Sequence, residues 1–306
     1  MAEISNKKTY FLTSKTSAKD IYGKSASKDL EDLYNSWLDS PHLCIKNTDY
    51  FPVYSEILSK FRDKKCTLIE IGVLDGGSLF MWRKWLGNKA RIIGIDLNPA
   101  ANKWASHGFE IFIGDQSNPS FWDSFFKKVK SFDVVIDDGG HESHQQIVSV
   151  LKCIEFANQE SCIIVEDTQT SFMKSFSSHG KNSFLQFSKD STDILVARQN
   201  IEKSNEFPSE LNTNVINAFK NIHSIQFFSG IVCFKINPEI VNHGFVIRNI
   251  KGVSQNQDYR LNGLRSITID WPYAFKYKRE RIDGMSVKEI KEKIQQLKDS
   301  FSNDEG

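Results

Sequence analysis

Residues 134–144 read VVIDDGGHESH. An apolar run leads straight into Asp137-Asp138, a glycine pair and His141, so a buried strand would deliver ionisable groups at its carboxyl end. A second run, SCIIVED at 161–167, closes in the same way on Glu166-Asp167. Parallel neighbours lie about 4.8 Å apart. If these strands are neighbours, Asp138, Glu166 and Asp167 gather at one edge. Two like charges ~4 Å apart repel by roughly 4 kcal/mol at an effective dielectric of about 20. Three unneutralised carboxylates would drive one to protonate, and a divalent cation removes the conflict. Oxygen ligands with no nearby thiol favour a hard ion, Mg²⁺ ahead of Mn²⁺ or Ca²⁺, over zinc. The competing reading is helix capping, with Asp137 or Asp138 capping a helix over 142–157 and Asp167 capping a turn.

The pair Gly139-Gly140 allows a sharp turn that returns His141 to the same crevice. An imidazole titrating at about 6.5 suits removal of a proton from a hydroxyl. An alcohol held by the cation gives up that proton more readily, and its oxygen can attack a methyl group in line with the leaving sulfur. His144, one helical turn later, is expected to face solvent or a neighbouring loop.

The methyl donor is read from a second motif, EIGVLDGGS at 70–78. A pyrophosphate would need GxGxxG, and Leu74 stands where the second glycine belongs; no GxxxxGK[ST] occurs either. S-adenosylmethionine carries no phosphate and needs only an open turn, here with Glu70, Gly72, Gly76 and Ser78 around it. Asp96 ends a second run, RIIGID, where it could accept both ribose hydroxyls. Asp115 and Gln116 end a third, where an adenine amino group could be read. Asp137 is the remaining candidate for a donor contact.

These residues need a scaffold that brings strand ends together. LIEIGV (68–73), RIIGIDL (91–97), FEIFIGD (109–115), FDVVIDD (132–138) and SCIIVED (161–167) alternate with helical patterns, two of them opened by Asn-Pro at 98–99 and 118–119. Such alternation predicts a parallel sheet covered on both faces, with ligands at the carboxyl ends of its strands. HSIQFFSGIVCFKI (223–236) predicts an antiparallel hairpin around Ser229-Gly230. Upstream, a short helix is expected around 30–38, and Phe51, Tyr54, Ile57, Leu58 and Phe61 form one helical face. Residues 168–195 read as a long loop over the sheet edge.

The expected organisation is an N-terminal extension (1–45), a core (46–238) and a tail (239–306). The tail carries an amphipathic helix with a capping box at Ser286 and Glu289 and a stripe of Val287, Ile290, Ile294, Leu297 and Phe301. The basic run KYKRER (276–281) reads as a solvated face. With 40% hydrophobic and 25% charged residues and a net charge of +1, the 306-residue chain lacks the basic excess of a nucleic-acid or membrane-surface binder. Five scattered cysteines, no apolar leader and no long apolar run make a reduced, cytoplasmic protein the expectation.

The runs LIEIGVLDGGSLFMWRKWL, RIIGIDL, FDVVIDDGGH and IIVEDTQTSF together resemble the macrocin-type sugar O-methyltransferases of macrolide biosynthesis. They are also similar to the cephalosporin-hydroxylase-like and rhamnosyl O-methyltransferase proteins. The resemblance spans residues 46–238. It implies an α/β, Rossmann-like class I methyltransferase fold, with a mainly parallel seven-stranded sheet, helices on both faces and an antiparallel terminal hairpin. It implies Mg²⁺ at Asp138, Glu166 and Asp167, His141 as base, S-adenosylmethionine as donor and a hydroxyl of a sugar or glycosylated small molecule as acceptor. Self-association is implied as well. DYFPVY (49–54) resembles the segment that helps close the donor pocket. The chain departs from the family at Ser171-Phe172-Met173, where Tyr or a Trp-flanked aromatic is usual. Two rival readings are an NAD-dependent nucleotide-sugar oxidoreductase, which the missing GxGxxG disfavours, and a non-catalytic scaffold, which has no reason to keep opposed carboxylates together.

Overall fold

The structure, a computed structural model, describes residues 16–176, 183–201, 219 and 221–239. Seven strands form one sheet in the order β3-β2-β1-β4-β5-β7-β6. They are β1 (Cys66–Ile71), β2 (Ala90–Asp96), β3 (Glu110–Ile113), β4 (Phe132–Asp137), β5 (Ala157–Val165), β6 (Ile222–Phe228) and β7 (Ile231–Ile236). The first five run parallel; β7 is antiparallel to both β5 and β6. The chain builds outward from β1 to β3, then returns to lay β4 on the other side of β1. That reversal opens a crevice beyond the carboxyl ends of β1 and β4.

Alternation along each strand sends its side chains to two separate apolar layers. Leu68, Val134, Ile136, Cys162 and Ile164 pack with α2 (Lys28–Leu38), α3 (Tyr50–Leu58) and α4 (Gly77–Leu86). Ile69, Ile71, Val135, Ile163 and Val165 pack with α5 (Pro119–Val129), α6 (Ser143–Ile154) and α7 (Phe184–Ile201). Burial on both faces is why the strands read as continuous apolar runs rather than as alternating ones. Upstream of these, α1 (Ala18–Tyr22) starts with a capping box between Ser17 and Asp20. Helix α2 buries Leu30, Leu33 and Tyr34 in the same layer as α4.

The Asn-Pro signals start helical turns as expected: Asn98 accepts from the Ala100 amide and Asn118 from the Ser120 amide. The hairpin forms around Gly230. The stretch 168–195 differs from its reading as a loop. Two short 3-10 turns, Thr168–Phe172 and Lys174–Phe176, are followed by α7 from Phe184. Its serines suggested a loop, yet Ser188 and Ser191 donate to the carbonyls of Phe184 and Phe187 and so satisfy themselves inside the helix. Phe184 and Phe187 anchor it in the second layer. Helix α6 also stops earlier than expected, at Ile154, and β5 begins at Ala157. All five cysteines are unpaired thiols, four of them buried. Among the described residues no helix is long and apolar enough to cross a membrane. The tail stripe and the basic run at 276–281 lie outside the described residues.

Candidate active site

The carboxyl ends of β4 and β5 lie side by side, with Asp137 in register with Val165 and the Glu166 amide donating to the Asp137 carbonyl. Alternation then separates the acids. Asp138 and Glu166 fall on the α3 side, whereas Asp137 points to α6. Asp167 escapes the alternation because its backbone turns left-handed, φ 53°.

Three side chains meet at the half-exposed mouth. One ligand atom each from Asp138, His141 and Asp167 lies within 4.8 Å of the other two. His141 Nε2 is 3.9 Å from Asp138 Oδ1 and 3.6 Å from Asp167 Oδ2. The remaining carboxylate oxygens are braced from behind: Asp138 Oδ2 by Lys46 at 2.5 Å, and Asp167 Oδ1 by the Tyr50 hydroxyl at 2.7 Å and Gln169 at 2.8 Å. The free oxygens therefore face a common point. His141 itself adopts φ 60°, and its Nδ1 is buried without a hydrogen-bond partner. The turn was expected from Gly139-Gly140, but the left-handed residue is His141. The two glycines instead make room for amides: an added Cβ would lie 2.0 Å from Gln116 Oε1 at Gly139 and 2.0 Å from Gln145 Oε1 at Gly140.

Glu166 is not at this mouth. It is 1% exposed, turned inward, and receives the Tyr54 hydroxyl and the Lys46 ammonium, whose Nζ is 3.0 Å from both of its oxygens. Lys46, a residue the sequence reading passed over, is the counter-charge at the centre of the acids. Its Nζ also stands 3.9 Å from Glu70 Oε1, and its side chain is only 2% exposed. Burial would pull the Lys46 ammonium down, but the attraction of Asp138 and Glu166 outweighs it and holds the group well above its ordinary value. Burial pushes Glu166 up to about 8 and Glu70 up to about 7, in both cases despite the opposing pull of Lys46. Tyr50 and Tyr54, four residues apart on α3, share one face and reach Asp167 and Glu166, while Lys46 reaches Asp138 and Glu166 from the irregular chain that precedes the helix.

The donor-side candidates divide in two. Asp96 Oδ2 accepts from the amides of Val73 and Leu74, and Oδ1 from Asn98, so this acid shapes the glycine turn at the end of β1. Gly72, φ 88°, lies so close to β4 that a Cβ would sit 2.1 Å from the Asp138 carbonyl oxygen. Gly76, also left-handed, leads into α4. Leu74 and Leu97, next to these groups, are 72% and 70% exposed, an uncovered apolar rim around the crevice. The other candidates face inward. Glu70 takes hydrogen bonds from Ser78 Oγ at 2.7 Å and Trp82 Nε1 at 3.2 Å. Gln116 donates to Asp137 and Ser149, and its Oε1 accepts from the Gly140 amide. Asp137 is 1% exposed and raised by burial, against the hydrogen bonds from Gln116 and Gly139. Asp115 caps Ser117. The buried contacts of Glu70, Ser78, Gln116 and Asp137 hold the loops of the site rather than open onto it, whereas Asp115 stays partly exposed.

No family model matches the chain. The 8-demethyl-8-α-L-rhamnosyl tetracenomycin-C 2'-O-methyltransferase of Streptomyces olivaceus is 28% identical over 134 residues, 42% of this chain and 35% of that protein. The demethylmacrocin O-methyltransferase of Streptomyces fradiae is 24% identical over 222 residues, 68% of this chain and 55% of that protein. The chain thus spans between about a third and just over half of the length of these relatives. Among solved structures, the MycE methyltransferase of the mycinamycin pathway, in complex with Mg, SAH and mycinamycin VI, superposes with a TM-score of 0.56 at 22% identity. That superposition covers 70% of this chain and 54% of MycE. Over that shared length the chain has the fold of a class I methyltransferase, and the curated proteins it matches are sugar O-methyltransferases of the macrocin type that its motifs resemble.

Proposed function

We propose that this protein is an S-adenosylmethionine-dependent, Mg²⁺-assisted O-methyltransferase acting on a hydroxyl of a sugar or glycosylated small molecule. One observation carries the reading: the free oxygens of Asp138 and Asp167 and the imidazole of His141 converge beside the glycine turn, at the sheet's topological switch point. The names of the curated relatives and the Mg and SAH of MycE support it. The residues fit a divalent ion on physical grounds, because Asp138 and Glu166 already surround a cation, the Lys46 ammonium. Asp138, Glu166 and Asp167 would hold the ion, whose chemistry is to acidify and orient an acceptor hydroxyl.

The chain's own residues then divide the work. His141 Nε2, on the rim of the acid cluster, takes the proton as the acceptor oxygen forms its bond to the methyl carbon and the sulfur–carbon bond breaks. The 2.7 Å hydrogen bond from Tyr50 fixes Asp167, and Lys46 holds Asp138 in the absence of the ion, so the oxygens are in place before ion and acceptor arrive. Asp96 keeps the glycine turn open for the donor, with Leu74 and Leu97 as apolar walls.

The test is transfer of a labelled methyl group to glycosylated acceptors, with and without chelator. We expect chelation to abolish transfer and added Mg²⁺ to restore it, and Asp138→Asn or His141→Ala to lower turnover at least about a hundredfold. Full turnover in both variants would sink the mechanism. Calorimetric binding of NAD but not of the demethylated donor would sink the activity.

A further inference from the structure

Asp138 belongs to two groupings in this site, one around the Lys46 ammonium and one with His141 and Asp167. At the inner position, Lys46 Nζ contacts Asp138 Oδ2 and both oxygens of Glu166. At the outer position, Asp138, His141 and Asp167 face one another. A hard ion prefers oxygen, and an outer site would give it an imidazole in place of a third carboxylate. It would also occupy the base. The inner position brings in Glu166, so that the ion would meet carboxylate oxygens of Asp138 and Glu166 and leave the base free. Glu166, however, has about four acceptor positions. Three are taken, one by Tyr54 and two by Lys46.

We propose that Lys46 is a built-in place-holder: its ammonium and the divalent ion compete for Asp138 and Glu166, and ion binding moves Lys46 toward Glu70. This rests on the ion-assisted reading above. The surroundings suit such a move. Lys46 lies in a stretch without regular secondary structure, residues 43–47, between two fixed points. Trp37 Nε1 donates to the Cys44 carbonyl at 2.8 Å, and the Tyr22 hydroxyl donates to the Thr48 carbonyl at 2.7 Å. Between these anchors a four-carbon stem can swing its ammonium while the backbone stays put. The destination is already built. Glu70 Oε1 is 3.9 Å from Nζ, in a pocket closed by Ser78 and Trp82. With Lys46 there, the buried Glu70 gains a full counter-charge as Glu166 turns to the ion. Lys46 is thus a positioning residue. It keeps the acids together without the ion and sets how tightly the ion binds.

The test is Mn²⁺ affinity, read by electron paramagnetic resonance on the full chain. Lys46→Met removes the competitor, and the apparent affinity should rise about tenfold. An unchanged or weakened affinity overturns the proposal. Should Lys46→Met fail to fold, a Mn²⁺-soaked crystal of the unaltered protein decides. Anomalous signal bonded to Asp138 and Glu166, with Lys46 Nζ withdrawn to Glu70, supports it. Manganese at Asp138, His141 and Asp167 with the Lys46–Glu166 pair intact overturns it while leaving the metal reading standing. No bound manganese at all overturns both.

Discussion

His141 and Asp167, two of the residues assigned to chemistry, both have left-handed backbones, φ 60° and 53°. For a residue with a Cβ this costs roughly 1–2 kcal/mol. The surroundings enforce it: the Thr170 hydroxyl lies 2.9 Å from the His141 carbonyl and 2.8 Å from that of Asp167, so a single donor links the two turns. Strain held at both residues predicts a trade between stability and activity. His141→Gly should raise thermal stability by up to about 1 kcal/mol, after allowing for the unfolded-state entropy of glycine, while turnover collapses. A melting temperature below that of the unaltered protein would show that the imidazole, not the backbone, dominates there. Glu70 gives a prediction in pH. Its folded value, about 7, lies above its ordinary 4.5, so the folded chain keeps a proton that the unfolded chain releases. The stability it contributes is complete below that ordinary value, falls as pH rises through about 7, and is flat beyond. Glu70→Gln cannot titrate. Its stability should therefore fall less than that of the unaltered protein between pH ~5 and ~8, by on the order of 3 kcal/mol in denaturant titrations. Parallel curves would place the Glu70 proton elsewhere.

At the level of elements, much of the site could be read in advance, and the misses have physical causes. The apolar runs gave the five parallel strands and the hairpin because burial on both faces leaves an unmistakable trace. Counting by twos from Leu68, Val134 and Ile164 puts Glu70, Asp138 and Glu166 on one face and Asp137 on the other, as the structure has it. Strand ends taken as points make the acids one convergent group; taken as alternating faces they divide. Lys46 was passed over for a related reason. It precedes α3 in irregular chain, where no periodicity marks which way a side chain turns. Nothing local could signal that His141, and not the adjacent glycines, takes the left-handed turn. That outcome depends on Gln116 and Gln145, from separate elements, filling the space beside Gly139 and Gly140. The helix over 184–201 was hidden by serines that bond back to its own turns.

Across the whole molecule, the acid cluster is held by segments far apart in the chain, and the hairpin is the least obvious of them. The Thr168 amide donates to the Gly230 carbonyl at 3.1 Å, which ties the β6–β7 turn to the loop carrying Asp167. A Cβ at Gly230 would lie 2.6 Å from the Tyr50 hydroxyl and 2.9 Å from Gln169 Oε1, the two groups that brace Asp167 Oδ1. Gly230 also has φ 72°, so alanine there combines backbone strain with pressure on both braces. Gly108 offers a matched control. Its φ is 82°, yet a Cβ there would meet nothing within 4 Å. Alanine at either site should therefore lower stability by about 1 kcal/mol through the backbone alone. Only Gly230→Ala should reach the chemistry, with Mn²⁺ affinity and methyl transfer each down by about tenfold, the change expected when a ligand loses its fixed orientation. The comparison separates transmission through the hairpin from general loosening of the fold. Equal losses of turnover in the two variants would mean that stability alone limits activity, and that Tyr50 and Gln169 do not position Asp167.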